Sequence, residues 1–219
     1  MPTFDLVIST STAHQLVAVA LTGSNKLLVK RQRHWRRGQE RTLLADIDSA
    51  LTEAGGALVD VGRLVCDVGP GSFTGLRFGL STARALAWAL DVPAVGVGSL
   101  AAMQLQAVHA GRADGPEAVC AVLPSRRGVV YARYQMNGKT EQKEVAIDEL
   151  VTMLFAQSAR SVIAPAATLA NLGINAQHGV IGRASVIAEY PSLAALWRAA
   201  AGHTAEPGGP LPEYVALSQ

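Results

Sequence analysis

The sequence predicts an α/β protein built of two lobes, each with a mixed sheet. Strand-like apolar runs alternate with segments of helical spacing up to about residue 100, and the same order then recurs in a looser form. Of the 219 residues, 49% are hydrophobic and 16% are charged, which favours a folded core over disorder. A chain of this length suits one domain or two small lobes.

The first lobe is predicted to begin with three strands over residues 4–10, 16–21 and 26–32. Short connections, including the turn at Gly23-Ser24-Asn25, indicate an antiparallel meander. Leu43, Leu44, Ile47 and Leu51 recur at helical spacing, and Gly55-Gly56 is expected to end that helix. A strand over 63–68, a glycine loop, a helix to Leu90 and a strand over 93–97 complete the lobe.

The second lobe is predicted from a looser set of elements. Asn137-Gly138 indicates a tight hairpin between two strands, and Asp148 is expected to cap the helix that follows. The other elements are a helix over 100–110, strands over 118–123, 129–136, 161–164 and 184–188, and a last helix over 193–201. We therefore assign residues 1–100, joined by 190–219, to the N-terminal lobe and residues 101–189 to a smaller second lobe.

Charge and cysteine content restrict the function classes. The formal net charge is +2, and the dense basic run comprises Lys30, Arg31, Arg33, His34, Arg36 and Arg37. We favour a solvated strand end and loop over a nucleic-acid contact, because the single aromatic Trp35 is too little for a stacking platform. Cys66 and Cys120 lie in apolar runs and are expected to be buried thiols in a reducing compartment. With no signal peptide and no membrane-length apolar run, the protein is expected to be soluble and cytoplasmic.

The most informative stretch is a strand that turns on glycines and enters a helix. Gly69 and Gly71 permit unusual backbone angles, Pro70 stiffens the turn, and Ser72 or Thr74 can cap the helix. A phosphate cradle at the helix N-terminus is one interpretation. However, the P-loop lysine and the dinucleotide glycine spacing are both absent, so a tight structural turn is favoured.

The helix that follows has a nearly flat face made of small residues spaced four apart, namely Gly75, Gly79, Ala83 and Ala87. Such a face lets another backbone approach closely. The seam could pack inside the protein's own core or against a partner, and composition does not decide between them.

The motif resembles the signature of TsaB (YeaZ-type) proteins, and this chain is identified as a divergent member of that family. The resemblance is carried by residues 69–77, Gly79 and residues 93–100, and it is strongest from Cys66 to Leu100. It implies the two-lobed actin-like (ASKHA, RNase H-like) ATPase fold. It also implies a non-catalytic subunit that supports the TsaD enzyme in the threonylcarbamoylation of adenosine 37 in tRNA. The expected partners are a TsaD-like enzyme, a TsaE-like ATPase and a second copy of the chain, with tRNA contact indirect or weak.

The resemblance also implies which helices bind the partner. The expected interface residues are Leu43, Leu44, Ile47, Leu51, Gly75, Leu76, Gly79, Leu80, Ala83 and Ala87. No catalytic residue, metal or cofactor is expected, although a nucleotide at a partner interface stays open.

This sequence departs from the family at positions that bear on metal binding. Ser9 stands where the family usually has an aspartate, Pro124-Ser125 precedes Arg126 without the usual aspartate, and Val129 and Ala216 replace a glutamate and an arginine. A divalent ion on nucleotide phosphates requires hard oxygen ligands, typically carboxylates. We therefore expect no ATP hydrolysis by the chain alone.

Two other function classes remain open from the sequence. One is a paralogue that keeps the fold but works outside the tRNA pathway. The other is an actin-like small-molecule kinase or ATPase, for which Asp67 is the one well-placed carboxylate. A peptidase is disfavoured, because the five histidines are scattered without a zinc pattern and Ser72 lacks an identifiable histidine partner.

Overall fold

A computed structural model of the chain describes residues 3–24, 26–34, 42–156, 161–173, 180–181, 184–203 and 205. The described residues form two compact units. The first contains those up to Ser99 together with those from Leu193 onward, and the second contains those from Leu100 to Ser192.

The strands and helices follow the predicted order closely. The strands are β1 (Phe4–Ser9), β2 (His14–Leu21), β3 (Leu27–His34), β4 (Val61–Gly69), β5 (Ala94–Gly98), β6 (Val119–Pro124), β7 (Val129–Met136), β8 (Lys139–Ala146), β9 (Ser161–Ala164), β10 (Val180–Ile181) and β11 (Ala184–Ala188). The helices are α1 (Leu43–Glu53), α2 (Phe73–Leu90), α3 (Ser99–His109), α4 (Ile147–Ala156), α5 (Ala166–Asn171) and α6 (Leu193–Ala199).

The first unit is a mixed sheet with strand order β3-β2-β1-β4-β5 among the described residues. The strands β1, β2 and β3 pair antiparallel, which confirms the predicted meander, and β1, β4 and β5 pair parallel. Alternate residues of a strand face opposite sides of the sheet. Leu6 and Ile8 of β1 accordingly pack in the core formed with α1 and α2.

Helix α6 lies on the other side of this sheet and is anchored by a buried polar contact. The Trp197 indole N–H donates to Oδ2 of Asp5 on β1 at 2.8 Å, and Asp5 is fully buried. Arg63 donates to the same oxygen at 2.5 Å, and the Thr22 hydroxyl donates to Oδ1 at 2.9 Å. The carboxylate thus joins the C-terminal helix to β1, β4 and the β2–β3 turn.

The second unit has a mixed sheet of strand order β10-β11-β9-β6-β7-β8 among the described residues. One side of it packs with α4 and α5, and the other with α3. The hairpin at Asn137-Gly138 is confirmed, because both residues have positive φ (52° and 75°) between antiparallel β7 and β8.

One local expectation in this unit was wrong, and one helix was not predicted. Helix α4 begins at Ile147, so Asp148 lies in its first turn and is not the cap residue. Helix α5 was missed because six residues after Pro165 are too short to show helical periodicity. Within the described ranges, no helix combines the length and apolarity needed to cross a membrane.

Candidate functional site

The glycine turn links β4 to α2 and sets the geometry of the candidate site. Gly69 has φ +99°, a left-handed conformation that favours glycine, and it precedes Pro70 through a cis peptide bond. Helix α2 starts at Phe73, and the Ser72 hydroxyl caps it by accepting the backbone N–H of Gly75 at 3.3 Å. The turn is therefore a tight structural corner whose helix cap is supplied by its own serine.

The glycine half of the small-residue seam of α2, at Gly75 and Gly79, is filled by the turn between β1 and β2. A Cβ atom on Gly75 would overlap the carbonyl oxygen of Thr10, and one on Gly79 would overlap the Thr10 hydroxyl. The Thr10 hydroxyl donates to the Gly75 carbonyl at 2.6 Å, and the Ser72 N–H donates to the Ser11 carbonyl at 2.6 Å. The close approach indicated by the seam is thus made within the chain, by a segment about 65 residues away in sequence.

Asp67 lies at the centre of a buried polar network beneath this corner. Its Oδ2 accepts the hydroxyls of Ser9 at 2.7 Å and Ser11 at 2.5 Å. Its Oδ1 accepts the hydroxyl of Ser99 at 2.5 Å and the backbone N–H of Gly69 at 2.9 Å. Asp67 is only 2% exposed, and the serines are at most 1% exposed. A carboxylate has about four acceptor positions, so these donors fill its capacity.

The network connects segments that are far apart in sequence. Ser9 ends β1, Ser11 lies in the β1–β2 turn, and Ser99 begins α3. Asp67 therefore fixes the ends of these elements relative to the glycine turn. The arrangement acts as a structural joint, and a divalent ion at Asp67 would have to displace hydroxyl donors that are already well placed.

The opposite face of α2 is exposed. Trp88 is 87% exposed and Phe73 is 54% exposed, and Arg77 and Arg84 lie on the same side. The Arg77 guanidinium stacks 3.8 Å from the centroid of the Phe73 ring. Helix α2 thus has an inner face packed against its own unit and an outer face on which Phe73 and Trp88 are exposed.

The predicted interface residues divide between these environments. Leu44 is 61% exposed and Ala87 is half-buried. The others are buried within the first unit, namely Leu43, Ile47, Leu51, Gly75, Leu76, Gly79, Leu80 and Ala83. The assignment of α1 and α2 to a partner stays a prediction, and the side chains available to carry it are those that point outward.

The described part of the basic run is partly neutralised by α1. Arg33 forms a bidentate ion pair with Asp46, at 2.6 and 3.1 Å, and Arg31 contacts Glu53 at 2.7 Å. The Gln15 amide also donates to Asp46 at 2.6 Å. The hydrogen bonds from Arg33 hold the pKa of the Asp46 carboxyl below its usual value. Trp35, Arg36 and Arg37 lie outside the described residues.

Among the described residues, no cluster of histidine, cysteine, aspartate and glutamate side chains could hold a metal ion. His14 and His34 meet edge to face with ring centroids 4.9 Å apart, a pairing set by the β2–β3 register. Burial, and then the charge of His34, lowers the pKa of His14. Burial raises the pKa of the Cys120 thiol to about 12, so it is not a reactive thiolate.

Sequence reasoning missed a carboxylate in the second unit. Glu144 on β8 is 6% exposed, accepts the Ser125 hydroxyl and lies 3.8 Å from the Arg126 guanidinium. The antiparallel pairing of β6, β7 and β8 brings these residues together. A hairpin count from Asn137-Gly138 could have placed Glu144 opposite Tyr131, next to the loop that carries Ser125.

Comparison with known proteins identifies the family. Residues 11–201 match the family described as "TsaD: tRNA N6-adenosine threonylcarbamoyltransferase". The chain is 29% identical over 138 residues to the TsaB protein of Bacillus subtilis, covering 62% of this chain and 58% of that protein. It is 34% identical over 130 residues to the TsaB protein of Escherichia coli, covering 59% and 54%. Both are named tRNA threonylcarbamoyladenosine biosynthesis proteins, and the chain spans about half the length of these curated relatives.

The fold is shared with solved structures. A Pseudomonas aeruginosa protein described as similar to the peptidase YeaZ superposes with a TM-score of 0.74 at 22% identity, covering 98% of this chain and all of that one. YeaZ from the same organism gives a TM-score of 0.69 at 23% identity, covering 97% and 100%. These likenesses confirm the predicted α/β, actin-like fold with mixed sheets and the resemblance to TsaB (YeaZ-type) proteins. The chain belongs to the TsaD family of tRNA N6-adenosine threonylcarbamoyltransferases, in which it is similar to the TsaB (YeaZ-type) proteins.

Proposed function

We propose that this chain is a non-catalytic subunit that supports a TsaD-like enzyme in the threonylcarbamoylation of adenosine 37 in tRNA. The observation that carries the proposal is the family match over residues 11–201, together with relatives named for tRNA threonylcarbamoyladenosine biosynthesis. A TsaE-like ATPase and a second copy of the chain are further proposed partners. The proposed location is the cytoplasm, where tRNA is modified.

The state of Asp67 supports a role without catalysis. An actin-like kinase needs carboxylates that are free to bind a metal ion and to receive the acceptor's proton. Asp67 is the carboxylate best placed for this, and its oxygens accept hydrogen bonds from Ser9, Ser11, Ser99 and the Gly69 N–H. The site is therefore better suited to holding the fold than to binding a metal–nucleotide complex.

The proposed partner surface comprises the outward side chains of α1 and α2. Leu44 on α1 and Trp88 on α2 are large apolar side chains with exposures of 61% and 87%. Their buried neighbours on the same helices hold the two helices against the sheet. The partner is thus proposed to contact a surface whose backbone is fixed from beneath.

Reconstitution tests the proposal. The chain is combined with the TsaD-like and TsaE-like proteins of the same cell, tRNA and a threonylcarbamoyl donor, and modified adenosine is measured by mass spectrometry. We expect product only when the chain is present. An equal yield without the chain refutes the proposal.

A separate assay distinguishes the kinase alternative. The chain alone is incubated with magnesium and ATP, and we expect no turnover above background. Turnover that is lost in the milder variant Asp67→Asn but kept in the surface control Asp48→Ala would instead indicate a kinase or ATPase.

A further inference from the structure

The outer edge of strand β8 is open in the described part of the chain. There, β8 is the last strand of the second sheet, with β7 on one side and no strand on the other. It pairs with β7 without a bulge along its whole length, from Lys139 opposite Met136 to Ala146 opposite Val129. A regular strand edge without a neighbour is a template for pairing with another chain. Strand β8 is therefore a candidate site for extension of the sheet.

The hydrogen bonds around β7 show which β8 residues direct their backbone groups to the open edge. In an antiparallel sheet, the N–H and C=O groups of successive residues point alternately to the two neighbouring strands. The Val129 carbonyl accepts from the N–H of Ser125, on the β6 side, at 3.3 Å, and the Gly128 carbonyl accepts from the N–H of Ile147, on the β8 side, at 3.1 Å. The odd-numbered residues of β8 therefore bond to β7, and the even-numbered ones point outward. These outward residues are Thr140, Gln142 and Glu144.

The charged side chains of β8 alternate in sign on one face of the sheet. Lys139, Glu141 and Lys143 share a face, because alternate residues of a strand point to the same side. This is the face that carries α4, since Lys143 contacts Glu149 of α4 at 3.4 Å. Like charges directly opposite each other destabilise strand pairing, and opposite charges stabilise it. The alternation therefore disfavours most strands and favours one whose charges run in the complementary order.

A second copy of β8 has that complementary order in one antiparallel register. The outward residues must face each other, so both members of every bonded pair carry even numbers. A two-fold axis through Gln142 places Glu141 opposite Lys143 of the second copy, and the symmetry makes this contact twice. Every other register that meets the backbone condition and overlaps more than half of β8 sets Glu141, Lys143 or Glu144 opposite its own copy.

The other sheet edges in the described part of the chain suit a second copy less well. Strand β3 carries Lys30, Arg31 and Arg33 and no acidic residue, so two copies of it would repel each other. Strand β10 has only two residues, and β5 is contacted by the turn over Ala200–Gly202. Charge complementarity therefore selects β8 for pairing with itself.

We propose that two copies of the chain associate by antiparallel pairing of β8, centred on Gln142, so that their second sheets become one continuous sheet. The proposal rests on the proposed function only in that a second copy is one of the partners proposed there. The facing outward residues make about six main-chain hydrogen bonds. At about one hydrogen bond per 100–200 Å², the interface is about 600–1,200 Å², the size of weak and transient contacts. The dimer is therefore expected to dissociate at micromolar concentrations.

Sedimentation velocity of the whole chain between about 1 and about 200 µM tests the proposal, and the wild type is expected to pass from monomer to dimer in that range. Glu141→Lys sets lysine opposite lysine at both symmetric contacts, and Lys143→Glu sets glutamate opposite glutamate. Each variant alone should therefore have a dimer dissociation constant at least about tenfold above that of the wild type. An equal mixture of the two variants should dimerise at least as tightly as the wild type, because each lysine then faces a glutamate.

Asp148→Lys and Arg198→Glu are the matched controls. They make the same two changes of charge at exposed helical positions outside β8, so both should dimerise as the wild type does. Circular dichroism should show that every variant is folded.

Hydrogen exchange followed by NMR gives a second readout of the pairing. The amides of Thr140, Gln142 and Glu144 should exchange more slowly at high chain concentration than at low concentration, because only the dimer supplies their acceptors. The amides of Glu141 and Lys143, which bond to β7, should change much less and serve as internal controls.

The outcomes separate this proposal from the proposed function. A wild type that stays monomeric over the whole range refutes β8 pairing and leaves the role with the enzyme intact, because reconstitution measures that role separately. A dimer that neither charge variant weakens, or a mixture of the variants that does not dimerise, refutes pairing in this register. Slower exchange of the outward amides only after the TsaD-like enzyme is added would assign the edge to a strand of the enzyme and overturn the proposal. Reconstitution that does not need the chain, with the dimer observed as expected, refutes the enzyme role alone.

Discussion

Replacing Asp67 by alanine should destabilise the first unit strongly. The change leaves the hydroxyls of Ser9, Ser11 and Ser99 and the Gly69 N–H without their common acceptor. A hydrogen bond to a charged group contributes about 1.5–3 kcal/mol to stability. Some of this is recovered, because the hydroxyls lie 3.4–3.5 Å from one another and can re-pair, and because no buried charge remains. The Gly69 N–H cannot rotate to a new partner.

The net loss expected for Asp67→Ala is about 3–5 kcal/mol. At about 2–4 °C per kcal/mol for a chain of this length, the melting temperature should fall by roughly 10 °C. Asp67→Asn should cost about 1–2 kcal/mol, because its carbonyl oxygen can still accept from Ser99 and Gly69 while the serines on the other side rotate to accept from its amide.

Differential scanning calorimetry measures both variants against Asp48→Ala, an exposed aspartate of α1 that should change stability by less than about 0.5 kcal/mol. If the two units unfold separately, only the transition of the first unit should move. A melting temperature for Asp67→Ala within about 2 °C of the wild type would refute the structural role of the carboxylate. An Asp67→Asn variant that is less stable than Asp67→Ala would refute this role as well.

Three further predictions, centred on Gly79, Asp46 and Trp197, test the contacts around the sheet of the first unit. Gly79→Ala should lower the free energy of unfolding by about 1–3 kcal/mol, although alanine has the better helix propensity. Adding Thr10→Ala should recover this loss, because the obstructing atom is the Thr10 hydroxyl. The stability lost in Gly75→Ala should not be recovered by Thr10→Ala, because the obstructing atom is the backbone carbonyl oxygen of residue 10. Urea unfolding of the two double variants distinguishes the two cases. Asp46 has a folded pKa below its ordinary value of 3.8, so its stabilising effect is complete above that value and is lost as the pH falls through the folded pKa. The free energy of unfolding of the wild type should therefore fall more than that of Asp46→Asn when the pH drops below about 4. An equal fall in both proteins, from unfolding curves at each pH, would contradict this. Trp197→Phe should lower the free energy of unfolding by about 1–3 kcal/mol, because it removes the indole donor to Asp5. The α6 amides should also exchange with deuterium faster. Unchanged exchange rates would disprove the anchoring role of Trp197.

The turns whose geometry is set by residues adjacent in the sequence could be predicted from short sequence patterns. The hairpin at Asn137-Gly138 requires two positive φ angles that asparagine and glycine adopt readily, so it was visible in two residues. The corner from β4 into α2 was visible for the same reason, since Gly69 needs φ +99° and Ser72 can reach the N–H of Gly75.

Contacts between distant segments could not be predicted in this way. Small residues four apart show only that some backbone can approach α2, and they do not show that Thr10 is the one that does. Asp67 could likewise be seen beside the glycine turn, but the serines that occupy its oxygens lie 32 to 58 residues away. Their convergence depends on the parallel pairing of β1, β4 and β5, which the sequence does not encode locally.

The most direct test of the central claim is the amount of threonylcarbamoyladenosine in tRNA from cells in which this chain is depleted. We expect the modified nucleoside, measured by mass spectrometry, to fall on depletion and to be restored by the wild-type chain and by Arg198→Glu, with much weaker restoration by Trp88→Ala. A level of modified nucleoside unaffected by depletion would contradict the account.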